Sequence, residues 1–186
     1  LAEALHARVP RFAYIHVLNA DRMADVPLVA AKAELVALLR AAPITSTVIA
    51  PSGYFSDMAD FLSMARAGRV WLFGSGTHRI NPIHGADLAQ ATAEAIDAGR
   101  DWLDVGGPDT FSHTDLATLG FAALDKPSRI TRLPDALRRM ALRLLPWVTP
   151  AHIHGPAQFF LTAMGSDMVG EPHGTHHLAD HFRNLA

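Results

Sequence analysis

The fold is decided by residues 11–55, RFAYIHVLNADRMADVPLVAAKAELVALLRAAPITSTVIAPSGYF, within a chain of 186 residues. β-Branched and aromatic residues predict a strand over Arg11–Leu18, and the same pattern recurs over Ile44–Ala50. Between the strands, apolar residues three and four positions apart predict a helix over Val26–Ala41. Its buried stripe is expected to consist of Leu28, Ala31, Leu35, Leu38 and Leu39. The order strand, helix, strand predicts a βαβ unit with parallel strands.

The same alternation continues to about residue 164. Further strands are predicted at Val70–Phe73, His78–Ile83, Trp102–Val105 and Ser128–Leu133. Further helices are predicted at Phe55–Ala67, Asp87–Ala98, His113–Leu124, Asp135–Leu145 and Pro156–Met164. The turn Gly74-Ser75-Gly76 is expected to join its flanking strands as a hairpin. This alternation indicates an α/β fold with a doubly wound, mostly parallel sheet, followed after Gly107 by a smaller, mostly helical lobe.

Composition narrows the class of protein. Sixteen Lys+Arg residues against eighteen Asp+Glu residues give a net charge of −2, which indicates neither a nucleic-acid partner nor an anionic membrane. The absence of Cys excludes disulfides, thiol nucleophiles and Cys-ligated metal sites. No apolar run of about 18 residues and no basic-then-apolar leader is present. We therefore expect a cytoplasmic globular protein.

Ligands of open parallel sheets bind outside the carboxyl ends of the strands. Two such ends are visible, Val17-Leu18-Asn19 and Ala50-Pro51-Ser52-Gly53. The helix between them carries Lys32 on the same apolar stripe as Leu28. Lys32 is one of only two lysines, the other being Lys126. Because a buried ammonium group is costly without a partner, Lys32 is expected either to reach the surface or to hold a ligand.

Several segments carry a resemblance to a known family. Ala30-Ala31-Lys32-Ala33-Glu34-Leu35-Val36, followed by TVIAPSGYF at 47–55, resembles the second half of the short-chain dehydrogenase/reductase superfamily. The similarity is specifically to its atypical branch of NmrA-like NAD(P)-binding proteins. The segments 81–89 and 104–108 resemble later parts of the same family. The resemblance implies the C-terminal portion of a Rossmann-like domain over residues 1–106, with 68–85 contributing to the substrate lobe, and a small substrate or C-terminal lobe over 107–186.

The resemblance also implies a cofactor, NAD or NADP, and a set of residues around its nicotinamide end. The implied cofactor-binding residues are Val17, Leu18, Asn19, Lys32, Pro51, Ser52, Gly53, Tyr54 and Phe55. Lys32 and Tyr54 are the catalytic candidates among them. The partner so implied is a small-molecule substrate.

The chain departs from the family pattern in ways that limit these implications. The usual active-site Tyr, four residues before the Lys, is replaced by Leu28, and Ala50 stands where Arg is common. The Gly-rich cofactor loop is absent, so the N-terminal half of the family domain is expected to be missing before Leu1. Dinucleotide binding by this chain alone is then expected to be weak. The sheet edge left open is expected to be covered by self-association or by the missing half.

The predicted function is that of an NAD(P)-dependent oxidoreductase acting on a small molecule, with Tyr54, His16 or Asn19 supplying a proton in place of the Tyr. The alternative, favoured by the loss of that Tyr, is a non-catalytic NAD(P)-binding sensor or assembly protein. Eleven histidines raise a third hypothesis, a metal-binding protein. The histidines that suggest it are His152, His154, His173, His176, His177 and His181. Because no fixed carboxylate partner is evident among them, we predict no metal site.

Overall fold

The computed structural model describes residues 1–148 and 150–186, with the side chains of 1–147, 150 and 154–186. The strands are β1 (Arg11–Ile15), β2 (Thr45–Pro51), β3 (Val70–Phe73), β4 (Arg79–Ile80), β5 (Trp102–Gly106), β6 (Phe111–Ser112), β7 (Ile130–Leu133) and β8 (Glu171–Pro172). The helices are α1 (Ala2–His6), α2 (Pro27–Ala41), α3 (Ala59–Arg66), α4 (Gly85–Asp97), α5 (His113–Ala123), α6 (Asp135–Val148), α7 (Ala151–Ala163) and α8 (Leu178–Leu185). A short 3-10 helix spans Ala20–Met23.

The main sheet is parallel and has the strand order β1-β2-β5-β8. Its two faces carry different helices, because successive side chains of a strand point to opposite faces. On one face, apolar residues of β2 and β5 pack with residues of α4; the buried members are Ile49, Leu103, Val105, Leu88, Ala91 and Ala95. On the other face, Lys32 and Arg40 of α2 lie over the rings of Tyr14 and Trp102. The predicted α/β fold with a doubly wound parallel sheet is therefore confirmed.

A second apolar core lies beyond the sheet, where α3, α5 and α8 meet. Its largest fully buried side chains on these three helices are Phe61, Leu62, Leu116, Phe121, Leu178 and Phe182. α5 begins with a capping box between Ser112 and Asp115, which satisfies two backbone N–H groups at the helix start. This core fixes the helices that form one side of the cavity described below.

The predicted helix over Val26–Ala41 is present, but of its predicted buried stripe only Leu39 is buried. Val29, Val36 and Leu39 are buried, whereas Leu28 is 45% exposed and Leu38 is also exposed. In a helix rich in Ala and Leu, two neighbouring stripes are both apolar, so periodicity does not decide which of them faces the sheet. Lys32 follows Val29 by three positions and precedes Val36 by four, so it lies on the stripe that does face the sheet.

The predicted hairpin around Gly74-Ser75-Gly76 is also wrong. β3 pairs in parallel with β7, whereas β4 pairs with β6 in an antiparallel arrangement. The turn packs against the start of α5, where the Thr114 backbone N–H donates to the Gly76 carbonyl over 3.0 Å. A Cβ on Gly76 would lie 2.6 Å from the Thr114 hydroxyl oxygen. Gly76 therefore allows a close approach between the turn and the helix.

Candidate functional site

A cavity of about 550 Å³ lies at the carboxyl ends of β1 and β2. His16 and Val17, which follow β1, and the segment 51–54 at the end of β2 form one side of it. This is the position at which open parallel sheets bind ligands. The volume falls in the range of about 300–1,000 Å³ that is usual for small-molecule sites.

The rest of the cavity wall is mainly apolar. It comes from α3, α7 and the segments next to them, through Met58, Phe61, Phe159, Phe160, Met164 and Met168. Methionine side chains adapt their shape to a ligand, and aromatic rings offer large flat contact areas. No Arg or Lys lines the cavity within the described residues. Two carboxylates, Asp57 and Asp60, also line the cavity, and both residues are exposed. The buried part of the wall is therefore suited to a neutral, largely apolar ligand.

The structure brings together five of the residues that the sequence assigns to the nicotinamide end. Val17, Pro51, Ser52, Gly53 and Tyr54 all line the cavity. The hydroxyl of Ser52 donates to the Asn81 carbonyl over 2.6 Å, so it already has a partner within the fold. Tyr54 is half-buried, and burial together with the nearby Asp57 carboxylate raises the pKa of its hydroxyl.

The other four assigned residues are not among the residues that line the cavity. Leu18 and Phe55 are buried in the apolar core. Asn19 has a left-handed backbone conformation, and its side-chain amide donates to the Asp167 carbonyl over 2.9 Å. Lys32 donates from Nζ to the Ile15 carbonyl over 3.0 Å, and its ammonium group lies 5.2 Å from the centre of the Tyr14 ring. Their assignment as cofactor-binding residues stays a prediction.

Leu28 lines the cavity at the position where the family resemblance implies a Tyr. Its side chain offers neither a proton nor a hydrogen bond. Two acidic residues, Asp57 and Asp60, also line the cavity. Asp57 accepts a hydrogen bond from the Tyr54 backbone N–H, and burial raises the pKa of its carboxyl.

Two buried imidazoles supply the remaining polar surface of the cavity. His16 is 4% exposed, and burial together with Lys32 and Arg40 lowers its pKa. His113 begins α5, and burial lowers its pKa to about 4, with the neighbouring His78 acting in the same direction. Both rings are therefore neutral at neutral pH. His16 was recognised from the sequence as a residue close to a strand end, whereas no sequence signal marks His113 as part of the site.

The C-terminal histidines lie beside carboxylates. His176 Nδ1 lies 2.7 Å from Asp87, and His177 Nδ1 lies 2.7 Å from Asp109. His173 lies 3.8 Å from Glu171. In the part of the chain that the structure describes, no group of three or more His, Asp or Glu could hold a metal ion. Carboxylate partners that the sequence did not reveal thus account for these histidines.

The two other histidines of this set whose side chains the structure describes, His154 and His181, do not contact a carboxylate in the same way. The ring of His181 lies 5.4 Å from that of Phe55, and His154 Nε2 lies 3.1 Å from the Gln158 side-chain oxygen. The side chain of His152 lies outside the described residues. Among residues 1–148 and 150–186, no helix combines the length and apolar character needed to cross a bilayer.

The sequence matches no protein-family model and no curated protein. The fold, in contrast, matches solved structures. The NADPH-dependent quinone oxidoreductase of Escherichia coli, in complex with NADPH, superposes with a TM-score of 0.76 at 21% identity, over 99% of this chain and 68% of that chain. An isoflavone reductase superposes with a TM-score of 0.69 at 12% identity, over 100% of this chain and 69% of that chain.

A nucleoside-diphosphate-sugar epimerase from Staphylococcus aureus superposes with a TM-score of 0.65 at 14% identity, over 98% of this chain and 63% of that chain. The chain therefore has the Rossmann-like fold of these reductases and epimerases. It spans about two thirds of the length of each of them.

Proposed function

We propose that this chain is the nicotinamide- and substrate-binding portion of an NAD(P)-dependent oxidoreductase of the atypical, NmrA-like short-chain dehydrogenase/reductase type. The observation that carries the proposal is the cavity at the carboxyl ends of β1 and β2. It joins Val17 and the segment 51–54, which sequence resemblance assigns to the nicotinamide end. The Rossmann-like fold, shared with an NADPH-dependent oxidoreductase, supports the same cofactor class.

The cavity suits one end of a dinucleotide and not the other. A pyrophosphate needs backbone N–H groups of a Gly-rich turn or basic side chains, and the cavity wall offers no Arg or Lys among the described residues. The nicotinamide ring of the reduced cofactor is neutral, and beside a neutral substrate it suits the apolar wall. We therefore propose that the pyrophosphate-binding half belongs to a preceding segment of the whole protein.

When bound, the cofactor supplies or accepts a hydride. The residues of this chain would position the cofactor. Lys32, whose ammonium group lies at the end of β1, is the candidate for binding the ribose hydroxyls. The segment 51–55 is the candidate for contacting the face of the nicotinamide ring. The cavity residues would exclude water from the reacting atoms. Tyr54 is the candidate for holding a proton near the substrate, because a tyrosine hydroxyl is protonated at neutral pH and burial raises its pKa further.

The open edge of the sheet is an argument for a partner that covers it. β1 is the first strand in the order β1-β2-β5-β8 and pairs with β2 among the described strands. Unpaired edges are templates for association. We propose that the preceding segment of the whole protein, or a second copy of the chain, covers this edge.

A second candidate function is an NAD(P)-binding sensor or assembly protein without turnover. The observation that favours it is Leu28, which lines the cavity where a hydroxyl is expected and has no group that transfers a proton. The two candidates predict the same cofactor site and differ only in turnover.

Calorimetric titration with NADH and NADPH tests the cofactor site. The 186-residue chain should bind at best with millimolar affinity, whereas the protein encoded by the whole reading frame should bind in the micromolar range. In the whole protein, Lys32→Met should weaken binding by about 1.5–3 kcal/mol, as expected for hydrogen bonds to a charged group. Lys126→Met is the matched control and should leave affinity unchanged.

Three results would contradict this proposal. Micromolar binding by the 186-residue chain would mean that the phosphate site has been misplaced. Unchanged affinity in Lys32→Met would remove Lys32 from the cofactor site. The absence of a Gly-rich strand–helix turn upstream of Leu1 in the reading frame would remove the pyrophosphate half. Turnover of carbonyl substrates by the whole protein separates the enzyme from the sensor.

A further inference from the structure

The helix α6 carries apolar side chains on its outward face as well as on its inward face. Leu145 is buried, whereas four other apolar residues of the helix are exposed: Leu137, Met140, Leu144 and Trp147. These four residues follow one another at intervals of three or four positions, so they form one stripe along the helix, called here the α6 stripe. A helix that packs on a domain normally directs polar side chains outwards. The α6 stripe is therefore an apolar surface that the described part of the chain leaves exposed.

The charged residues beside the α6 stripe are basic. α6 contains three arginines and one acidic residue, Asp135, which already pairs with Arg138 and Arg139. Arg143 is exposed, and among the described residues it has no carboxylate partner. It follows Met140 by three positions and precedes Trp147 by four, so it borders the stripe. The positive charge is local to this helix, which is why the net charge of −2 for the whole chain gives no sign of it.

We propose that α6 docks on the surface of an anionic lipid bilayer, with the α6 stripe against the acyl chains and Arg139 and Arg143 at the phosphate groups. A helix with Leu and Trp on one face and basic residues on the other is the type that lies in the bilayer interface. Tryptophan suits this depth because its ring is apolar and its N–H is polar. Arginine places its aliphatic stem along apolar surface and its guanidinium at phosphate oxygens.

A second copy of the chain suits the α6 stripe less well than a membrane. Helices that pair through an apolar stripe usually carry it over three to four heptads, whereas the α6 stripe covers residues 137–147 and ends beside Pro146. A second copy would also bring the same arginines without a free carboxylate on α6, because Asp135 is already paired. Anionic lipid headgroups supply the negative charge that this face lacks.

The position of α6 relates the docking surface to the cavity. Arg138 Nη1 donates to the Leu161 carbonyl of α7 over 2.9 Å, so the two helices are joined. α7 in turn contributes Phe159 and Phe160 to the cavity wall. Docking through α6 would bring this wall close to the bilayer, where apolar compounds concentrate. The docking itself requires neither the cofactor nor the proposed oxidoreductase function.

Co-sedimentation with lipid vesicles tests the apolar part of the contact. The 186-residue chain should bind vesicles of phosphatidylcholine and phosphatidylglycerol in equal parts. Leu144→Gln should weaken this binding by about tenfold, because a leucine that enters the acyl region is replaced by a polar side chain. Leu38→Gln is the matched control, since Leu38 is an exposed leucine of α2, and it should bind as the unmodified chain does.

The basic part of the contact is tested with a second pair of variants. The unmodified chain should bind the anionic vesicles about tenfold more tightly than vesicles of phosphatidylcholine alone, and added salt should reduce this preference. The double variant Arg139→Gln/Arg143→Gln should lose most of the preference. The double variant Arg22→Gln/Arg129→Gln removes the same charge from exposed positions outside α6 and should keep it.

Tryptophan fluorescence locates the contact in the unmodified fold. Vesicles with brominated acyl chains should quench part of the fluorescence of the 186-residue chain, because Trp147 reaches the acyl region. Trp147→Phe should remove this quenching. Trp71→Phe, which changes an exposed tryptophan of β3, should keep it. Quenching that disappears in Trp71→Phe and persists in Trp147→Phe would place the contact outside α6 and overturn the proposal.

Three further results would overturn it. Equal binding of Leu144→Gln and Leu38→Gln would mean that the α6 stripe is not the contact. A dimer in light scattering that Leu144→Gln dissociates, without vesicle binding, would assign the stripe to a second copy. Vesicle binding that is lost in the protein encoded by the whole reading frame would assign it to a preceding segment. Failure of the proposed function looks different: the whole protein would bind no NADH or NADPH, while vesicle binding would persist.

Discussion

Lys32 on α2 donates a hydrogen bond from its ammonium group to the backbone carbonyl of Ile15, the last residue of β1. The backbone N–H of the next residue, His16, donates to Ile49 of β2. Because successive residues of a strand direct their amides to opposite sides, the Ile15 carbonyl faces the outer edge of the sheet. The Lys32 ammonium group thus occupies the position from which a backbone N–H of a neighbouring strand would donate to this carbonyl. The hydrogen bond connects α2 to the end of β1, beside the cavity.

Lys32→Met should therefore destabilise the fold as well as any cofactor site. The substitution keeps the length of the side chain but removes the donor, so we expect the free energy of unfolding to fall by about 1–2 kcal/mol. Urea unfolding measures this loss. Lys126 is the matched control, because its Nζ also donates to a backbone carbonyl, that of Arg66, at an exposed position. Equal losses in Lys32→Met and Lys126→Met would contradict a special role for the Ile15 contact.

Asn81 should be among the most sensitive buried polar residues. Its side-chain amide donates to the carbonyls of Gly107 and Gly170, and its oxygen accepts the Gly170 backbone N–H over 2.9 Å. Asn81→Ala leaves these buried groups unpaired, so we expect a loss of about 2–4 kcal/mol in the free energy of unfolding. Chemical denaturation checks the value. Asn184→Ala, on the exposed surface of α8, should change stability by less than about 0.5 kcal/mol.

The sequence predicted the βαβ unit because local patterns are enough to define it. The strands β1 and β2 and the helix between them follow from apolar periodicity and from Pro43 and Pro51 at the boundaries. β8 was missed because a two-residue strand that contains Pro172 has no local signature. It forms because Val105 and Glu171 pair across 66 residues of chain, a contact that only the tertiary fold decides.

The candidate site was predictable on one side only. The residues after β1 and β2 were identified because ligands bind at the carboxyl ends of parallel strands. The opposite wall, with Met164 and Phe160 of the α7 region and His113 of α5, depends on how the helices pack. Helix periodicity identifies apolar faces but does not say which of them line a cavity. The structure was needed to place those residues.

Asp87 should hold the C-terminal segment in place. Its carboxylate accepts the backbone N–H groups of Thr175 and His176 and lies 2.7 Å from His176 Nδ1. Burial raises the pKa of this carboxyl, but the hydrogen bonds from His176 and Thr175 outweigh it and lower the pKa overall. Asp87→Ala should reduce the free energy of unfolding by about 2–4 kcal/mol and speed amide exchange over residues 171–185.

The matched control for Asp87 is Asp109, which lies at the same distance from His177 but is exposed. Asp109→Ala should change stability by no more than about 1 kcal/mol, because solvent screens an exposed pair. Hydrogen–deuterium exchange of both variants compares the two contacts directly. Similar exchange rates in both variants would mean that burial of the Asp87 contact does not anchor the C-terminal segment.

Stability should fall on mild acidification because of His113. Burial lowers its folded-state pKa from 6.5 to about 4, so the unfolded chain binds a proton over this range and the folded chain does not. The contribution of His113 is complete above about pH 6.5 and is lost as the pH falls towards 4. At pH 4.5 the loss should reach about 2–3 kcal/mol, from 1.36 kcal/mol per pH unit. The lowered pKa of His16 acts in the same direction.

Urea unfolding of the unmodified chain and of His113→Gln between pH 7.5 and 4.5 isolates this effect. Other groups also titrate, in the unmodified chain and in the variant alike. The hydrogen bond to Asp109 raises the pKa of His177, which favours the folded state on acidification. The raised pKa of Asp57 acts in the same direction. The difference between the two pH profiles removes these shared contributions. His113→Gln should show the shallower decline, whereas His6→Gln should follow the unmodified chain. Parallel profiles for the unmodified chain and His113→Gln would show that His113 takes up its proton equally well in the folded state and is not held neutral beside the cavity.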